Sequence, residues 1–193
     1  LLLPIAFAIA FLAALNESEK RQVKYFSEFD ALTGVYNRRA GLEKIEKLLA
    51  SSKSCTTNCI CFIDINGLKE VNDTLGHEAG DALIKTVVDG IKRNTRESDF
   101  IARLGGDEFL IIFEGLAIDQ AEDVWSRITQ YFSKINETGA NRYLVSVSHG
   151  IEEFDCGMQR QIDRVINIAD EKMYREKIQI KKTLKVIRPE PTR

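Results

Sequence analysis

Three acidic side chains lie where the sequence predicts that strands end or turn. Asp64 closes an apolar run, while Asp107 and Glu108 fall between two further apolar runs. A buried carboxylate is costly unless it is paired or bound to a metal ion. Mg²⁺ prefers such oxygen ligands together with phosphate oxygens, and two such ions can bind the attacking and leaving oxygens of a phosphoryl transfer. On pattern alone, a solvated acidic rim of a turn explains the same residues equally well.

The elements that must position these acids follow from hydrophobic periodicity. Apolar residues at helical spacing predict helices over residues 37–49, 67–75, 78–93, 118–135 and 161–177, with Asn37 as an N-cap. Apolar or alternating runs predict strands over residues 58–65, 100–104, 109–113, 143–151 and 183–187. A tight turn at 105–108 joins two of these strands, so at least one strand pair is antiparallel. The predicted fold class is therefore α/β, with a mixed central β-sheet flanked by helices.

Composition excludes several classes of protein. The chain has 193 residues, 44% hydrophobic and 29% charged, which favours one globular domain over a disordered, collagenous or disulfide-stapled chain. Its formal net charge is −2, so no nucleic-acid partner is expected from bulk charge. Four cysteines, at positions 55, 59, 61 and 156, lack the paired C-x2-C spacing of a zinc site. Cys59 and Cys61 are predicted to be small apolar residues of the core, which fits a reducing cytosol.

The two ends of the chain differ in character from its middle. Residues 1–15 carry no charge and are interpreted as the tail of a transmembrane helix, because the run is shorter than the ~20 residues that cross a bilayer. A cleaved signal peptide and a buried helix are the alternatives. Lys20, Arg21 and Lys24 predict a cytoplasmic flank, which places the domain at the cell membrane on its cytoplasmic side. Residues 16–29 are predicted to form a helical linker, and residues 189–193 a frayed C-terminus.

Residues 105–109 read Gly-Gly-Asp-Glu-Phe, and this segment resembles the signature of the GGDEF family, the diguanylate cyclases of bacterial signalling. Four further segments resemble motifs of that family in the same order and spacing: D-A-L-T-G with N-R at 30–38, D-I-N-G-L-K-E-V-N-D at 64–73, G-H-E-A-G-D at 76–81, and A-D-E-K-M-Y with a lysine at 169–177. The resemblance covers nearly the whole of a predicted GGDEF domain at residues 30–188.

The resemblance implies a fold similar to nucleotidyl cyclase catalytic domains and to the polymerase palm. It also implies condensation of two GTP molecules into cyclic di-GMP and two pyrophosphates, by two-metal phosphoryl transfer, with one GTP on each subunit of a homodimer. By the same resemblance, Asp64 and Asp107 bind the metal ions, which are Mg²⁺ or alternatively Mn²⁺, and the carbonyl of Ile65 helps. Glu108 lies at the reacting hydroxyl, either as a metal ligand or as a base.

Two residues are expected to recognise the guanine base. The resemblance places Asn72 and Glu78 at the family's guanine-binding positions. Guanine presents its N1–H and N2–H₂ donors side by side, and one carboxylate can accept both, whereas adenine lacks this donor pair. The alternative is that both side chains merely cap the two neighbouring helices.

The remaining substrate contacts fall on lysines and glycines. The resemblance places Lys69, Lys177 and Lys181 at the triphosphate, with Lys69 among the catalytic residues. It places Gly105 and Gly106 where the backbone approaches the nucleotide closely. The segment after Lys177 lacks the Gly and Arg of the family's usual K-x-x-G-R-N ending, so Lys181 is expected to supply a point charge instead of a guanidinium fork. Without the resemblance, a lysine such as Lys69 or Lys177 is more often a solvated surface residue than a phosphate ligand.

A second ligand site is expected ahead of the signature. Arg96 and Asp99 form an R-x-x-D sequence, which resembles the inhibitory site at which family members bind cyclic di-GMP. An exposed ion pair is the alternative. His149 is assigned no role. The intact signature favours an active, membrane-tethered cyclase, and the alternative is a catalytically silent receptor for GTP or cyclic di-GMP that signals through partners.

Overall fold

The computed structural model describes residues 15–17, 25–50, 57–155 and 162–188. One sheet contains strands β1 Tyr36–Asn37, β2 Thr57–Ile65, β3 Phe100–Arg103, β4 Glu108–Phe113 and β5 Val147–Asp155. Packed on it are helices α1 Arg38–Ala50, α2 Leu68–Leu75, α3 His77–Asn94, α4 Ile118–Thr138 and α5 Ile162–Lys181. The N-cap expected at Asn37 is confirmed, since its side-chain oxygen accepts the Ala40 backbone N–H at 3.0 Å.

The sheet is mixed, which confirms the predicted fold class. Its strand order is β1-β3-β4-β2-β5. The β3–β4, β4–β2 and β2–β5 pairs are antiparallel, and the short β1–β3 pair is parallel. β2 is buried along almost its whole length because it lies inside the sheet with helices on both faces.

Alternation along β2 divides the core into two hydrophobic clusters. Cys59, Cys61 and Ile63 belong to the cluster that faces α2, α3 and α4, together with the predicted apolar stripe of α3. Ile60 and Phe62 belong to the cluster that faces α1 and α5. Burial raises the pKa of the Cys59 thiol to about 12, and Cys61 is also fully buried, so the expectation that both are core residues is confirmed. Cys55 and Cys156 lie outside the described residues.

The predictions for the last two strands of the sheet are wrong. The strand expected over 143–151 begins only at Val147 and runs to Asp155. The Asn136 side-chain amide binds both the N–H and the carbonyl of Val145, each at 2.8 Å, and so occupies the groups that a longer strand would need. The strand expected over 183–187 does not form; Ile187 makes an isolated bridge with Tyr143.

Two further boundaries shift near the predicted site. α5 continues to Lys181, four residues beyond the prediction, because no Gly or Pro between residues 177 and 188 interrupts it. The predicted turn at 105–108 is one residue out of place, since Glu108 already opens β4. Glu108 therefore has the fixed backbone of a strand rather than that of a loop.

An aromatic stack joins the residues before the sheet to the domain. The rings of Tyr25 and Phe29 stack at 4.7 Å, and those of Phe29 and Tyr36 at 4.8 Å. The Lys44 ammonium lies 4.9 Å above the rings of both Tyr36 and Phe100. Residues 25–28 are helical, while residues 1–14 and 18–24 lie outside the described part of the chain, so the predicted membrane segment and linker stay predictions. Among the described helices, none is both long and apolar enough to span a bilayer.

Candidate active site

The fold brings the three predicted acids together at one end of the sheet. Asp64 lies directly opposite Glu108 in the antiparallel register of β2 and β4. The backbone carbonyl of Asp107 accepts the N–H of Ile65 at 3.0 Å, which fixes the signature turn against the end of β2. Like charges directly opposite on paired strands destabilise a sheet. Asp64 is only 3% exposed, so a solvated acidic rim does not describe it.

Asp64 has one oxygen paired and the other without a partner. The Lys177 ammonium donates to Oδ2 at 2.5 Å. Oδ1 is buried and accepts no hydrogen bond from any described residue. Burial raises the pKa of the Asp64 carboxyl, and the charges of Asp107 and Glu108 add to this rise, while the hydrogen bond and charge of Lys177 oppose it. The site therefore disfavours the charged form of Asp64 until another cation approaches.

The donor set fits a divalent cation, although no ligand cluster is already assembled. Within the described ranges, no group of three His, Cys, Asp or Glu residues is arranged to hold a metal ion. The unpartnered Oδ1 of Asp64 is nevertheless an oxygen in need of a positive partner. Carboxylates of Asp64, Asp107 and Glu108, with the Ile65 carbonyl beside them, are the hard oxygen donors that Mg²⁺ binds. Lys177 occupies the other oxygen of Asp64, Oδ2, through a single hydrogen bond.

A cavity of about 430 Å³ opens beside these acids. Five of the predicted site residues line it: Ile65, Lys69, Asp107, Lys177 and Lys181. Gly67, Glu70, Asp73 and Thr74 complete the polar part of its wall. Three lysines and three carboxylates, those of Glu70, Asp73 and Asp107, line this open cavity, which suits a polyphosphate ligand that carries its own cation.

Arg103 holds the signature turn, and the sequence interpretation missed it. Its guanidinium donates to the carbonyls of Gly105 at 3.1 Å and Gly106 at 2.8 Å, and to the Asp30 carboxylate at 3.1 Å. Burial would raise the pKa of Asp30, but hydrogen bonds from Thr33 and Arg103 outweigh burial and lower it. The available signal was the position of Arg103, two residues before the paired glycines at the end of β3.

The two predicted guanine-binding residues lie on helices α2 and α3 and not on the cavity wall. Asn72 is in the middle of α2, with its side-chain amide against Gly80 of α3, where any Cβ would overlap it. Glu78 is exposed in the first turn of α3. The capping alternative is wrong, because the N-cap positions are Gly67 and Gly76 and neither helix has a side-chain cap. Neither Asn72 nor Glu78 lines the 430 Å³ cavity.

The R-x-x-D segment forms a separate pocket. The Asp99 carboxylate is 8% exposed and accepts the backbone N–H of Arg96 at 2.8 Å and of Glu114 at 3.3 Å. It therefore shapes the turn, which an exposed ion pair would not do. Arg96 is exposed and lines a cavity of about 300 Å³. Lys44 and Lys92 also line this cavity, together with Phe29 and Tyr36 of the aromatic stack.

The chain belongs to the GGDEF family, because the family model described as "Diguanylate cyclase, GGDEF domain" matches residues 27–183. It is 31% identical to the uncharacterized protein YhcK of Bacillus subtilis (strain 168) over 162 residues, 81% of this chain and 45% of YhcK. It is 35% identical to the probable diguanylate cyclase DgcT of Escherichia coli (strain K12) over 124 residues, 64% of this chain and 27% of DgcT. The chain thus spans less than half the length of these relatives.

Solved structures agree with the family assignment. The coiled coil and GGDEF domain of DgcB from Caulobacter crescentus, in complex with c-di-GMP, superimposes with a TM-score of 0.77 at 28% identity. The match covers 91% of this chain and 93% of the DgcB chain. The structural relatives are GGDEF domains, so the expected likeness to nucleotidyl cyclase domains and the polymerase palm is confirmed.

Proposed function

We propose that this chain is an active diguanylate cyclase, which condenses two GTP molecules into cyclic di-GMP and releases two pyrophosphates. The observation that carries the proposal is the convergence of Asp64, Asp107 and Glu108 beside a cavity lined by three lysines. Every residue of the Gly-Gly-Asp-Glu-Phe signature is present in that arrangement. A receptor without activity would need none of these carboxylates to face one another against their mutual repulsion.

Each group of site residues has a separate task in this proposal. Asp64, Asp107 and the Ile65 carbonyl hold Mg²⁺, or Mn²⁺ in its place, and the bound cations supply charge neutralisation at the reacting phosphate. Glu108 faces Asp64 and is placed either to bind a cation or to accept the proton of the 3′-hydroxyl. Lys69, Lys177 and Lys181 neutralise the triphosphate from the cavity wall. Gly106 leaves the signature turn open to the nucleotide, and Gly105 leaves room beside the Glu108 carboxylate, which would lie 3.3 Å from a Cβ there.

Guanine selectivity rests on the residues where α2 meets α3. The exposed carboxylate of Glu78 lies at the helix N-terminus and can accept two donors from one base. Asn72 adds an amide that can both donate and accept. In this proposal the base lies where α2 meets α3, and an adenine there would leave the Glu78 carboxylate without the donor pair.

The reaction needs two copies of the chain. The product joins two nucleotides, and in this proposal each subunit of a homodimer binds one GTP at its own acids and cavity and supplies it to the reaction. We propose further that residues 1–15 tether the protein to the cell membrane, that the domain lies on the cytoplasmic side, and that residues 16–29 form a helical link between membrane and domain. None of these roles involves a nucleic acid.

Product identity is the direct test of the proposed activity. The chain incubated with GTP and Mg²⁺ should yield cyclic di-GMP and pyrophosphate, identified by mass. Asp107→Ala and Glu108→Ala should each reduce the rate by about a thousandfold or more, because each removes charge stabilisation worth several kcal/mol. GTP or cyclic di-GMP binding without any product from the unmodified chain would contradict the cyclase and favour a receptor.

Product inhibition is proposed at the pocket of Arg96 and Asp99. Replacing Arg96 with alanine should weaken cyclic di-GMP binding by about tenfold or more, because the ligand loses a charge-assisted hydrogen-bond donor. Turnover of GTP at low product should stay the same, since Arg96 lies outside the acidic site. Arg93→Ala is the matched control, because Arg93 is exposed on the last turn of α3 and does not line the 300 Å³ cavity. Equal inhibition constants in all three proteins would rule out this site.

A further inference from the structure

The buried side chains of helix α5 all lie before the two lysines that this helix contributes to the cavity wall. Val165, Ala169 and Met173 are its buried residues, spaced one turn apart. Residues 174–181, all of which the structure describes, contain no buried side chain. Lys177 and Lys181 thus lie on a stretch of helix without buried side chains, between Met173 and the buried Val186 that follows the helix. Some other set of contacts must fix where Lys177 points.

Polar contacts between α5 and the free edge of the sheet fix this part of the helix. β5 is an edge strand, so the outward N–H and carbonyl groups of alternate residues have no strand partner. The Glu176 carboxylate accepts the outward N–H of His149 at 2.5 Å. One turn earlier on the same helix, the Lys172 ammonium donates to the outward carbonyl of Ile151 at 2.6 Å. α5 is therefore bound to β5 at two successive points.

The His149 ring reinforces the contact between His149 and Glu176 from the other face of the sheet. Its Nδ1 lies 2.8 Å from the same Glu176 oxygen that accepts the backbone N–H. The ring stacks on Trp125 of α4 with centroids 4.3 Å apart and planes 17° apart, and its Nε2 lies 3.6 Å from Glu122. Trp125 is buried in the core. His149 thereby connects α5, around the sheet edge, to a buried side chain of the core.

We infer that Glu176 and His149 are positioning residues for Lys177, an inference that rests on the proposed function of the same site. Successive helix residues are rotated by about 100° from one another. When Glu176 is held at the edge of β5, Lys177 is therefore turned towards the end of β2, where its ammonium reaches Asp64. Without Glu176, the stretch of α5 between Met173 and the core-packed Val186 can shift along the sheet edge, and Lys177 no longer has a fixed direction.

A double-mutant cycle separates positioning from general stability. Glu176→Ala should weaken binding of a non-hydrolysable GTP analogue, and raise the KM for GTP, by about tenfold when Lys177 is present. In a Lys177→Ala background, the same change should have less than about a twofold effect, because the residue that it positions is gone. Glu176→Gln should keep most of the affinity, since its amide oxygen still accepts the His149 N–H.

The matched control is Glu171→Ala on the same helix. Glu171 is exposed and pairs with Arg175 at 3.7 Å, one turn along, so its loss should leave affinity and KM unchanged. The positioning role would be overturned if Glu176→Ala had equal effects with and without Lys177, or if Glu176→Gln did not preserve affinity. Cyclic di-GMP formed by the unmodified chain would still support the cyclase in that case. Coupled effects on analogue binding in a chain that makes no cyclic di-GMP would refute the cyclase and leave the positioning role standing.

Discussion

Replacing Asp64 with asparagine should abolish turnover and raise the midpoint of thermal unfolding at the same time. The loss of several kcal/mol of charge stabilisation at the reacting phosphate corresponds to about a thousandfold or more in rate. The gain in stability follows because the Asp64 carboxylate is buried, faces Asp107 and Glu108, and has one oxygen without a hydrogen bond among the described residues. Asparagine keeps the shape of the side chain and removes the charge. Lys177, freed from this contact, can reach solvent.

The stability gain should depend on pH in a defined direction. The folded protein holds a proton on Asp64 more tightly than the unfolded chain does, because the pKa of Asp64 is raised on folding. The contribution of Asp64 to the stability of the unmodified chain therefore falls as pH rises from the ordinary pKa of an aspartate through the raised value, and stays lower above it. The difference between the variant and the unmodified chain should be greatest at neutral pH and should shrink in acid.

Thermal unfolding with a matched surface variant checks this prediction. Asp89→Asn, at an exposed position of α3, should leave the midpoint unchanged. A lower midpoint for Asp64→Asn at neutral pH would mean that the Lys177 contact outweighs burial and repulsion, contrary to the raised pKa.

Two glycines should separate folding from activity when each is changed to alanine. A Cβ at Gly150 of β5 would overlap the Ala169 carbonyl and the Met173 nitrogen, which are backbone atoms of α5 and cannot rotate away. We expect a loss of about 3 kcal/mol in the free energy of unfolding, from forcing α5 off the sheet. For a chain of this size that corresponds to a midpoint lower by about 6–12 °C.

Gly106→Ala should lower activity and leave stability unchanged. A Cβ at Gly106 meets nothing within 4 Å in the protein, so the midpoint of unfolding should stay within about 1 °C of the unmodified chain. The added methyl group would lie on the signature turn, where the nucleotide approaches, so GTP turnover should fall by at least about a hundredfold. Calorimetry and initial rates on both variants give the comparison. Normal turnover in Gly106→Ala would contradict the close backbone approach.

Local sequence patterns were sufficient for the acids and for most of the elements around them. The apolar run ending in Asp64 predicted a buried strand, and the signature between two short apolar runs predicted a hairpin, so their meeting in one sheet followed. The stripe on α3 and the N-cap at Asn37 were likewise local properties, and both are present. These features depend on periodicity of a few residues, which a sequence displays directly.

Contacts made between distant segments could not be predicted in the same way. Asn136 replaces part of a strand by binding Val145 across a loop, and nothing in either residue's neighbours indicates the other. His149 gained a partner only because α5 passes the edge of β5 at Gly150 and carries Glu176 there. Arg103 was visible as a residue, but its bonds to two turn carbonyls depend on the bend of the turn itself.

Condensation by two copies of the chain is tested most directly by the rate of product formation per chain. The measurement is the initial rate of cyclic di-GMP formation at saturating GTP and Mg²⁺, over a wide range of protein concentration, with Glu108→Ala in parallel. The rate per chain should rise with concentration and level off once dimers dominate, and it should be absent in the variant. A rate per chain that does not change while sedimentation shows a monomer, or product formed equally by Glu108→Ala, would contradict the proposed mechanism.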